Sequence, residues 1–175
     1  KIKFLDFDFE TENQINPKKK IYDIIKSQFV SDVPIALSLS GGWDSNIIYH
    51  TMRKTLEKKK YKIYSFFFPD YEKFNADYNV AKKNCLHFND DLTEVEVNYK
   101  DFSDNVEKVV QILEEPISNQ SAVLNYMMAK KVNEKVLITG DGGDEIFGGY
   151  DHYRSAYILS NLSKINFFKF FFKKE

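Results

Sequence analysis

Cysteine is nearly absent from this chain of 175 residues, in which Cys85 is the only example. A single thiol cannot form an internal disulfide, and no cluster of cysteine and histidine has metal-ligand spacing, so the sequence predicts a reducing compartment and no structural zinc. Long apolar runs are also lacking: none approaches the roughly 20 residues of a membrane-spanning helix, and the N-terminus does not have the order of a signal peptide. We therefore expect a cytoplasmic protein with no membrane partner.

An excess of charge of one sign is missing as well. The 25 basic and 26 acidic residues give a formal net charge of -1, which removes the electrostatic argument for a nucleic-acid partner. The content of 43% hydrophobic and 29% charged residues is that of one globular domain with a substantial core. The chain begins at Lys1 rather than Met and stops in a Phe-rich segment at residues 167–172, so we interpret both ends as cut.

Predicted strands and helices alternate along most of the chain. The predicted helices cover residues 17–30, 44–58, 75–87, 101–113 and 121–132, and the predicted strands cover residues 35–39, 61–68, 92–97 and 136–139. This order predicts an α/β fold of Rossmann type, with a parallel sheet, helices on both faces and a ligand crevice at the carboxyl ends of the strands. After Tyr157 no clear periodicity is present; we interpret that region as a truncated core helix, with a surface amphipathic helix as the alternative.

The first segment with chemical character, residues 40–45, reads Ser-Gly-Gly-Trp-Asp-Ser and lies between a predicted strand and a predicted helix. Paired glycines let backbone N–H groups approach an anion, the hydroxyls of Ser40 and Ser45 add donors, and the helix N-terminus adds a positive dipole. Asp44 would repel bare phosphate, which predicts a bridging Mg²⁺. The alternative is a tight strand-to-helix turn in which Asp44 or Ser45 caps the helix.

The second segment, residues 139–150, reads Thr-Gly-Asp-Gly-Gly-Asp-Glu-Ile-Phe-Gly-Gly-Tyr and also follows a predicted strand. Burying unpaired charges is costly, so three carboxylates among five glycines indicate a bound cation, and Mg²⁺ on a nucleotide is the simplest one. The alternatives are a calcium loop or a solvated acidic turn. An EF-hand is excluded because its alternating acidic ligands and its twelfth-position glutamate are missing.

The segment 40–45 resembles the pyrophosphate loop of the ATP pyrophosphatases, and the segment 139–150 resembles the signature of the asparagine synthetase family. Residues 31–34 (Ser-Asp-Val-Pro) and the stretch 114–122, with Glu-Glu-Pro followed by Ser-Ala, also fit that family's pattern in order and spacing. The resemblance extends over roughly residues 18–157. It implies an adenine-nucleotide-binding fold of the HUP-like, ATP-pyrophosphatase type.

The resemblance also implies a domain organisation. Residues 18–157 would form the ATP-binding synthetase domain, and residues 1–17 would be the remnant of a linker to a preceding domain. Residues 158–175 would be a truncated continuation to which no role is assigned. The family's glutaminase domain, with its N-terminal cysteine nucleophile, is missing from these residues, because Cys85 lies inside a predicted helix. A homodimer is the assembly that we expect.

The reaction implied by the resemblance joins ATP and aspartate into β-aspartyl-AMP and releases pyrophosphate. Ammonia derived from glutamine then displaces AMP and forms asparagine, so ATP and Mg²⁺ are the expected cofactors. By position, ATP binding is implied for Leu39, Ser40, Gly41, Gly42, Asp44, Ser45, Phe66, Thr139 and Gly140. Asp44 and Asp144 would share Mg²⁺, and Asp141 and Asp144 would be the catalytic residues.

Two positions depart from the family's loop, and other functions stay open. Asn46 stands where a second serine is usual, and Trp43 replaces an aliphatic residue. The alternatives are an amidotransferase of the same family acting on another carboxylate, such as a surface-sugar acid; a pyrophosphatase-loop enzyme that activates RNA bases for thiolation; and a truncated nucleotide-binding domain without full activity.

Overall fold

The computed structural model describes residues 16–55 and 60–162, which form a four-stranded parallel sheet with helices on both faces. The strands are β1 (Ile35–Ser38), β2 (Lys62–Phe67), β3 (Leu92–Glu96) and β4 (Val136–Ile138). The helices are α1 (Pro17–Gln28), α2 (Trp43–Thr55), α3 (Ala76–Phe88), α4 (Tyr99–Leu113), α5 (Ser121–Lys131), α6 (Gly143–Phe147) and α7 (Asp151–Leu162), and a 3-10 turn spans Glu72–Phe74. The bounds of the predicted elements are confirmed to within two residues, except at the end of α2, where residues 56–59 lie outside the described part.

The strand order is β3-β2-β1-β4, and every pairing between these strands is parallel. Leu37 of β1 is in register with Ile63 on one side and with Ile138 on the other. The chain therefore runs outward from β1 to β3 and then returns to the opposite side of β1. Since parallel crossovers are right-handed, this reversal places the helices of the two halves on opposite faces of the sheet. The predicted fold class is confirmed.

One hydrophobic core lies between the sheet and the layer formed by α1, α2 and α3. Its buried members are Phe29, Ile35, Leu37, Leu39, Tyr49, Met52, Ile63, Ala81 and Cys85. Alternate residues of β1 point to this layer, whereas Ala36 points to the other face and packs with Met128 of α5. Burial raises the pKa of the Cys85 thiol to about 11, which suits a packing residue rather than a reactive thiol.

The second layer is formed by α4 and α5. Val97, which follows β3, is buried with Val109 of α4 and with Val123 and Met127 of α5. The loop before α4 supplies the cap of that helix, because the Asn98 side chain accepts a hydrogen bond from the Asp101 N–H at 2.8 Å. Both layers are thus held to the sheet by apolar contacts.

A buried polar cluster ties α2 to the end of α3. The Tyr49 hydroxyl donates to Asp90 Oδ2 at 2.7 Å, and the Arg53 guanidinium lies 3.0 Å from the same oxygen. Burial and the Asp90 hydrogen bond raise the pKa of Tyr49 well above its usual range. Since Asp90 accepts from both side chains, its buried charge is compensated and the two helices keep a fixed spacing below the 40–45 loop.

Helix α7 contains the first residues of the region after Tyr157. Its side chains from Asp151 through residue 160 are exposed. The interpretation of this region as a truncated core helix stays a prediction, because such a helix would pack against residues outside the described part of the chain. Residues 163–175, and the predicted linker remnant in residues 1–15, lie outside the described residues. Within the described part of the chain, no helix has the length and apolar character needed to cross a membrane.

Replacing Leu37 by alanine tests the assignment of the core. Leu37 is fully buried, whereas Leu86 on α3 is 72% exposed. We expect Leu37→Ala to lower the free energy of unfolding by about 3 kcal/mol, because it leaves a cavity between the sheet and α2. The matched variant Leu86→Ala is expected to change it by no more than about 0.5 kcal/mol. Equal effects of the two substitutions in chemical denaturation would contradict this core.

Candidate nucleotide-binding site

The two glycine-rich segments meet where the strand order reverses. β1 and β4 are neighbours in the sheet, so the segments that follow them leave the same edge side by side. A side chain at Gly140 would place its Cβ 2.9 Å from the Ser45 nitrogen and 3.2 Å from the Asp44 Cβ. Only glycine allows this approach. The crevice outside such a switch point is where open parallel sheets bind ligands.

The hydroxyls of the first segment are hydrogen-bonded within it. The Ser45 Oγ accepts from the Ser40 N–H at 3.2 Å and lies 2.9 Å from the Ser40 Oγ, which accepts from the Gly42 N–H at 3.1 Å. The capping alternative predicts instead that Asp44 or Ser45 accepts from an N–H in the first turn of α2, and no such bond exists among the described residues. The loop is therefore built by Ser40 and Ser45 rather than by a helix cap.

Asn46, the departure from the family's serine, is part of the same network. Its side-chain amide donates to the Ser40 carbonyl at 2.9 Å and to the Gly42 carbonyl at 2.7 Å. Its oxygen accepts from the Asn84 Nδ2 on α3 at 2.5 Å. Both carbonyls can only accept, so the orientation of the Asn46 amide follows from its partners. Two side-chain bonds of Asn46 thus hold the loop at the position where a serine is usual in the family.

The Asp44 carboxylate faces the second segment. A Cβ at Gly143 would overlap this carboxylate, so Asp44 lies directly against the backbone at the start of α6. The pKa of Asp44 is raised by burial and by the negative charges of Asp144 and Glu145. Three carboxylates from two segments therefore converge, and their mutual repulsion favours a cation or protonation.

The carboxylate oxygens of Asp44, Asp144 and Glu145 fit a metal ion that binds together with a nucleotide. Among the described residues, no group of three or more histidine, cysteine, aspartate or glutamate side chains has an arrangement that could hold a metal alone. Calcium takes six to eight oxygen ligands, which argues against a calcium loop, whereas Mg²⁺ needs only one or two carboxylates when phosphates and water complete its shell. Asp44 and Asp144 supply hard oxygens of that kind.

The rest of the second segment forms a short helix where the sequence predicted only a turn. Gly142 (φ 91°) precedes α6 and Gly148 (φ 68°) ends it, both in the left-handed region that favours glycine. A Cβ at Gly149 would overlap the Asp144 carboxylate. The chain therefore folds back over Asp144 and fixes where this carboxylate lies relative to the start of α6.

Two further side-chain pairs flank α6. The Thr139 hydroxyl donates to Asp141 Oδ2 at 2.8 Å, and the Asp141 carboxylate is exposed to solvent. The Tyr150 hydroxyl donates to Glu145 Oε1 at 2.8 Å; this bond raises the pKa of Tyr150 to about 12 and lowers the pKa of Glu145. Glu145 is thereby held in its ionised form beside Asp44.

Leu39 and Phe66 offer backbone rather than side-chain groups. The Leu39 side chain is buried in the core, and its N–H donates to the Tyr64 carbonyl at 2.8 Å. The pairing of β1 with β2 ends there, whereas β2 stays paired with β3 as far as Phe67. The backbone edge of Phe66 on the β1 side is therefore open. The Phe66 ring packs against the core on the α4 and α5 face.

Sequence reasoning missed three residues that shape this edge. Asp77 in the first turn of α3 packs against Gly41, where an added Cβ would lie 2.5 Å from its Oδ1. Buried Asn75 bonds both the N–H and the carbonyl of Phe68 at 2.8 Å, and Asn84 supports Asn46. No local motif marks these residues, because each acts across a sequence gap; only the position of Asn75 at the start of a predicted helix was a signal.

Fold and loops together define the class, an α/β domain of Rossmann type with a ligand crevice at the switch point of its parallel sheet. A model of the asparagine synthase family matches residues 18–168. The chain belongs to that family.

The relatives carry more than one name. A Methanocaldococcus jannaschii protein named "Putative asparagine synthetase 2 (glutamine-hydrolyzing)" is 30% identical over 85% of this chain and 28% of its own length. Asparagine synthetase 1 (glutamine-hydrolyzing) of Bacillus subtilis is 28% identical, and the match covers 83% of this chain and 23% of that protein. Amidase chry2 of Gibberella zeae is 25% identical, and the match covers 85% of this chain and 24% of that protein. The chain thus spans about a quarter of the length of these relatives.

Gly140→Ala tests the contact between the two segments. The added methyl group would press on backbone atoms of the first turn of α2, so we expect a loss of about 1–3 kcal/mol in the free energy of unfolding. Gly42→Ala is the matched control, because its Cβ would meet only the flexible Ser40 hydroxyl, at 3.3 Å; a change within about 1 kcal/mol is expected there. Chemical denaturation without nucleotide measures both, and a loss as large in Gly42→Ala would argue against the contact.

Asp44→Asn tests the convergence of carboxylates. A raised pKa means that the folded state binds more protons than the unfolded chain. The contribution of Asp44 to stability therefore falls as pH rises from 3.8 through the folded-state pKa. At pH 7 without divalent cations, we expect Asp44→Asn to stabilise the protein by a few tenths to about 1 kcal/mol, since solvent screens exposed charges.

The gain should vanish below pH 3.8, where both states hold the proton. Asp104→Asn, an exposed change on α4, is the matched control and is expected to have no such pH-dependent effect. The measurement is the free energy of unfolding as a function of pH. A destabilised Asp44→Asn at pH 7 would show that this carboxylate is compensated in the folded protein.

Proposed function

We propose that this chain is the ATP-binding synthetase part of an enzyme that amidates aspartate to asparagine, a carbon–nitrogen ligase of asparagine biosynthesis. The observation that carries the proposal is the placement of the Asp44 carboxylate against Gly143, which joins the two segments in one crevice. Membership of the asparagine synthase family supports the reaction type. Ammonia from glutamine would be supplied by a glutaminase domain outside these residues. A cytoplasmic location and a homodimer remain predictions from the sequence.

In the first step, an oxygen of the aspartate β-carboxylate attacks the α-phosphorus of ATP. The new O–P bond forms as the bond to the bridging oxygen breaks, which releases pyrophosphate and leaves β-aspartyl-AMP. In the second step, the ammonia nitrogen attacks the acyl carbon, AMP leaves, and a proton is lost to solvent. Neither step requires a protein nucleophile, so binding, orientation and charge neutralisation carry the rate.

The first segment supplies the groups for pyrophosphate. Ser40, Gly41, Gly42 and Ser45 lie at the N-terminal end of α2, whose dipole favours an anion. Asp44 and Asp144 would hold Mg²⁺, which when bound neutralises charge on the phosphate oxygens. The convergence of carboxylates on Asp44 supports this role, because it is the arrangement that a cation relieves.

The adenine and the acyl group would lie on either side of that segment. The open backbone edge at Phe66 and the carbonyl of Leu39 can take the hydrogen bonds of an adenine ring, which needs both donors and acceptors. Thr139 and Gly140 follow β4 and would contact the nucleotide. The Thr139 hydroxyl orients Asp141, which would act on the adenylate intermediate.

A second candidate is amidation of a different carboxylate by the same chemistry. The observation in its favour is the amidase named among the relatives. Both segments of the crevice would bind the nucleotide, so they do not distinguish aspartate from another acid. The two candidates differ only in which acid promotes the release of pyrophosphate.

Pyrophosphate release tests the function directly. With ATP, Mg²⁺ and ammonia, we expect the full-length protein to release pyrophosphate when aspartate is added and not when it is omitted. Asp44→Ala and Asp141→Ala should each lower the rate at least 100-fold, the scale of removing one charged group from a transition-state site. Asp104→Ala, exposed on α4, should leave it unchanged.

Each outcome of this measurement decides between named candidates. Release that depends on another acid would replace aspartate as the substrate and keep the chemistry. A folded protein that binds ATP and releases no pyrophosphate with any acid would overturn the ligase proposal in favour of a nucleotide-binding domain. Full activity of Asp44→Ala would overturn the assignment of this residue.

A further inference from the structure

Asn46 and Asn84 form a contact between helices that no sequence motif contains. They are 38 positions apart, and the Asn84 Nδ2 donates to the Asn46 Oδ1 at 2.5 Å. Asn84 lies on α3 and Asn46 in the first turn of α2, and both side chains are half-buried. The pair lines a cavity of about 400 Å³ between the two helices, next to Gly41 and Trp43.

The Asn46 amide helps to fix the direction of two N–H groups in the loop, together with the Ser45 hydroxyl, which lies 3.3 Å from the Ser40 carbonyl oxygen and 3.2 Å from the Gly42 carbonyl oxygen. In a trans peptide the carbonyl and the following N–H point in opposite directions, and no cis peptide is present in the described residues. Because Asn46 holds the carbonyls of Ser40 and Gly42, the N–H groups of Gly41 and Trp43 point away from Asn46. Within the described part of the chain, neither of these N–H groups donates to a protein acceptor.

Asn84 stabilises one of the two orientations that the Asn46 side-chain amide could adopt. An amide with an unbound oxygen can rotate by 180°, and the rotated Asn46 would turn its oxygen toward two carbonyl oxygens and repel them. A donor on the far side of the amide stabilises the orientation that bonds both carbonyls. Asn84 is the only donor to that oxygen among the described residues.

We propose that Asn84 is a positioning residue of the nucleotide site: through Asn46 it orients the N–H groups of Gly41 and Trp43 toward the pyrophosphate of ATP. This inference rests on the proposed function, because it requires that the 40–45 loop binds phosphate. It assigns to α3 a role in ATP affinity, although Asn84 itself does not touch the nucleotide. The replacement of the family's serine by Asn46 is thereby linked to a partner on a neighbouring helix.

Binding of ATP and of adenosine to the full-length protein, measured by calorimetry in the presence of Mg²⁺, tests the proposal. Asn84→Leu keeps the size of the side chain and removes the donor. We expect it to weaken ATP binding about 3- to 10-fold, the effect of one hydrogen bond. Adenosine binding should not change, because adenosine has no phosphate for the loop to hold.

Three further variants give the proposal its controls. Asn84→Gln keeps an amide donor and should recover most of the affinity for ATP. Asn79→Ala, an exposed asparagine on the same helix, should have no effect. In an Asn46→Ala background, which itself weakens ATP binding, Asn84→Leu should cause no additional loss, because the residue through which it acts is gone.

The results separate this proposal from the function on which it rests. If the wild-type protein binds no ATP, the proposed function fails and the role of Asn84 fails with it. If the wild type binds ATP and Asn84→Leu binds it equally well, only the positioning role is overturned. Equal losses for ATP and adenosine, or a full loss that persists in the Asn46→Ala background, would show a general structural effect and would also overturn it.

Discussion

The close approach of Gly140 to the first turn of α2 is the constraint on which the site depends. β1 and β4 are adjacent because the chain reverses direction in the sheet, but adjacency alone would leave the two segments several side chains apart. A Cβ at Gly140 would lie 2.9 Å from the Ser45 nitrogen, so the absence of one lets the β4 segment pack against the first turn of α2. Asp44 then lies against Gly143, where the charges of Asp144 and Glu145 act on it.

Local patterns in the sequence were sufficient for the four strands and for helices α1 to α5. Apolar spacing marks those elements, and Gly-Gly turns after strands predict the crevice, because both signals lie within a few neighbouring residues. The contacts between elements were not predictable in this way. Asn84 reaches Asn46 across 38 positions, and the short helix α6 forms inside the glycine-rich segment, where no apolar spacing marks a helix.

Of the two departures from the family's loop, the structure explains Asn46 and does not explain Trp43. Asn46 is explained by its partners, since an amide can donate to two carbonyls at once and still accept from a third group. Trp43 is 85% exposed and lines the cavity beside Asn84, and no described contact explains its size. A serine at position 46 would offer one donor to the two carbonyls, whereas the amide offers two.

Repulsion between the carboxylates of the crevice would couple the binding of its two proposed ligands, Mg²⁺ and the phosphates of ATP. Asp44 is destabilised by burial and by Asp144 and Glu145, and Tyr150 keeps Glu145 ionised rather than relieving it. A cation would lower this repulsion, but two or three carboxylates alone would hold it weakly. Phosphate oxygens would complete its shell, and without the cation they would face the same negative charge. On the proposed function, each ligand would therefore raise the affinity for the other, because their joint binding would remove the repulsion that the free protein bears.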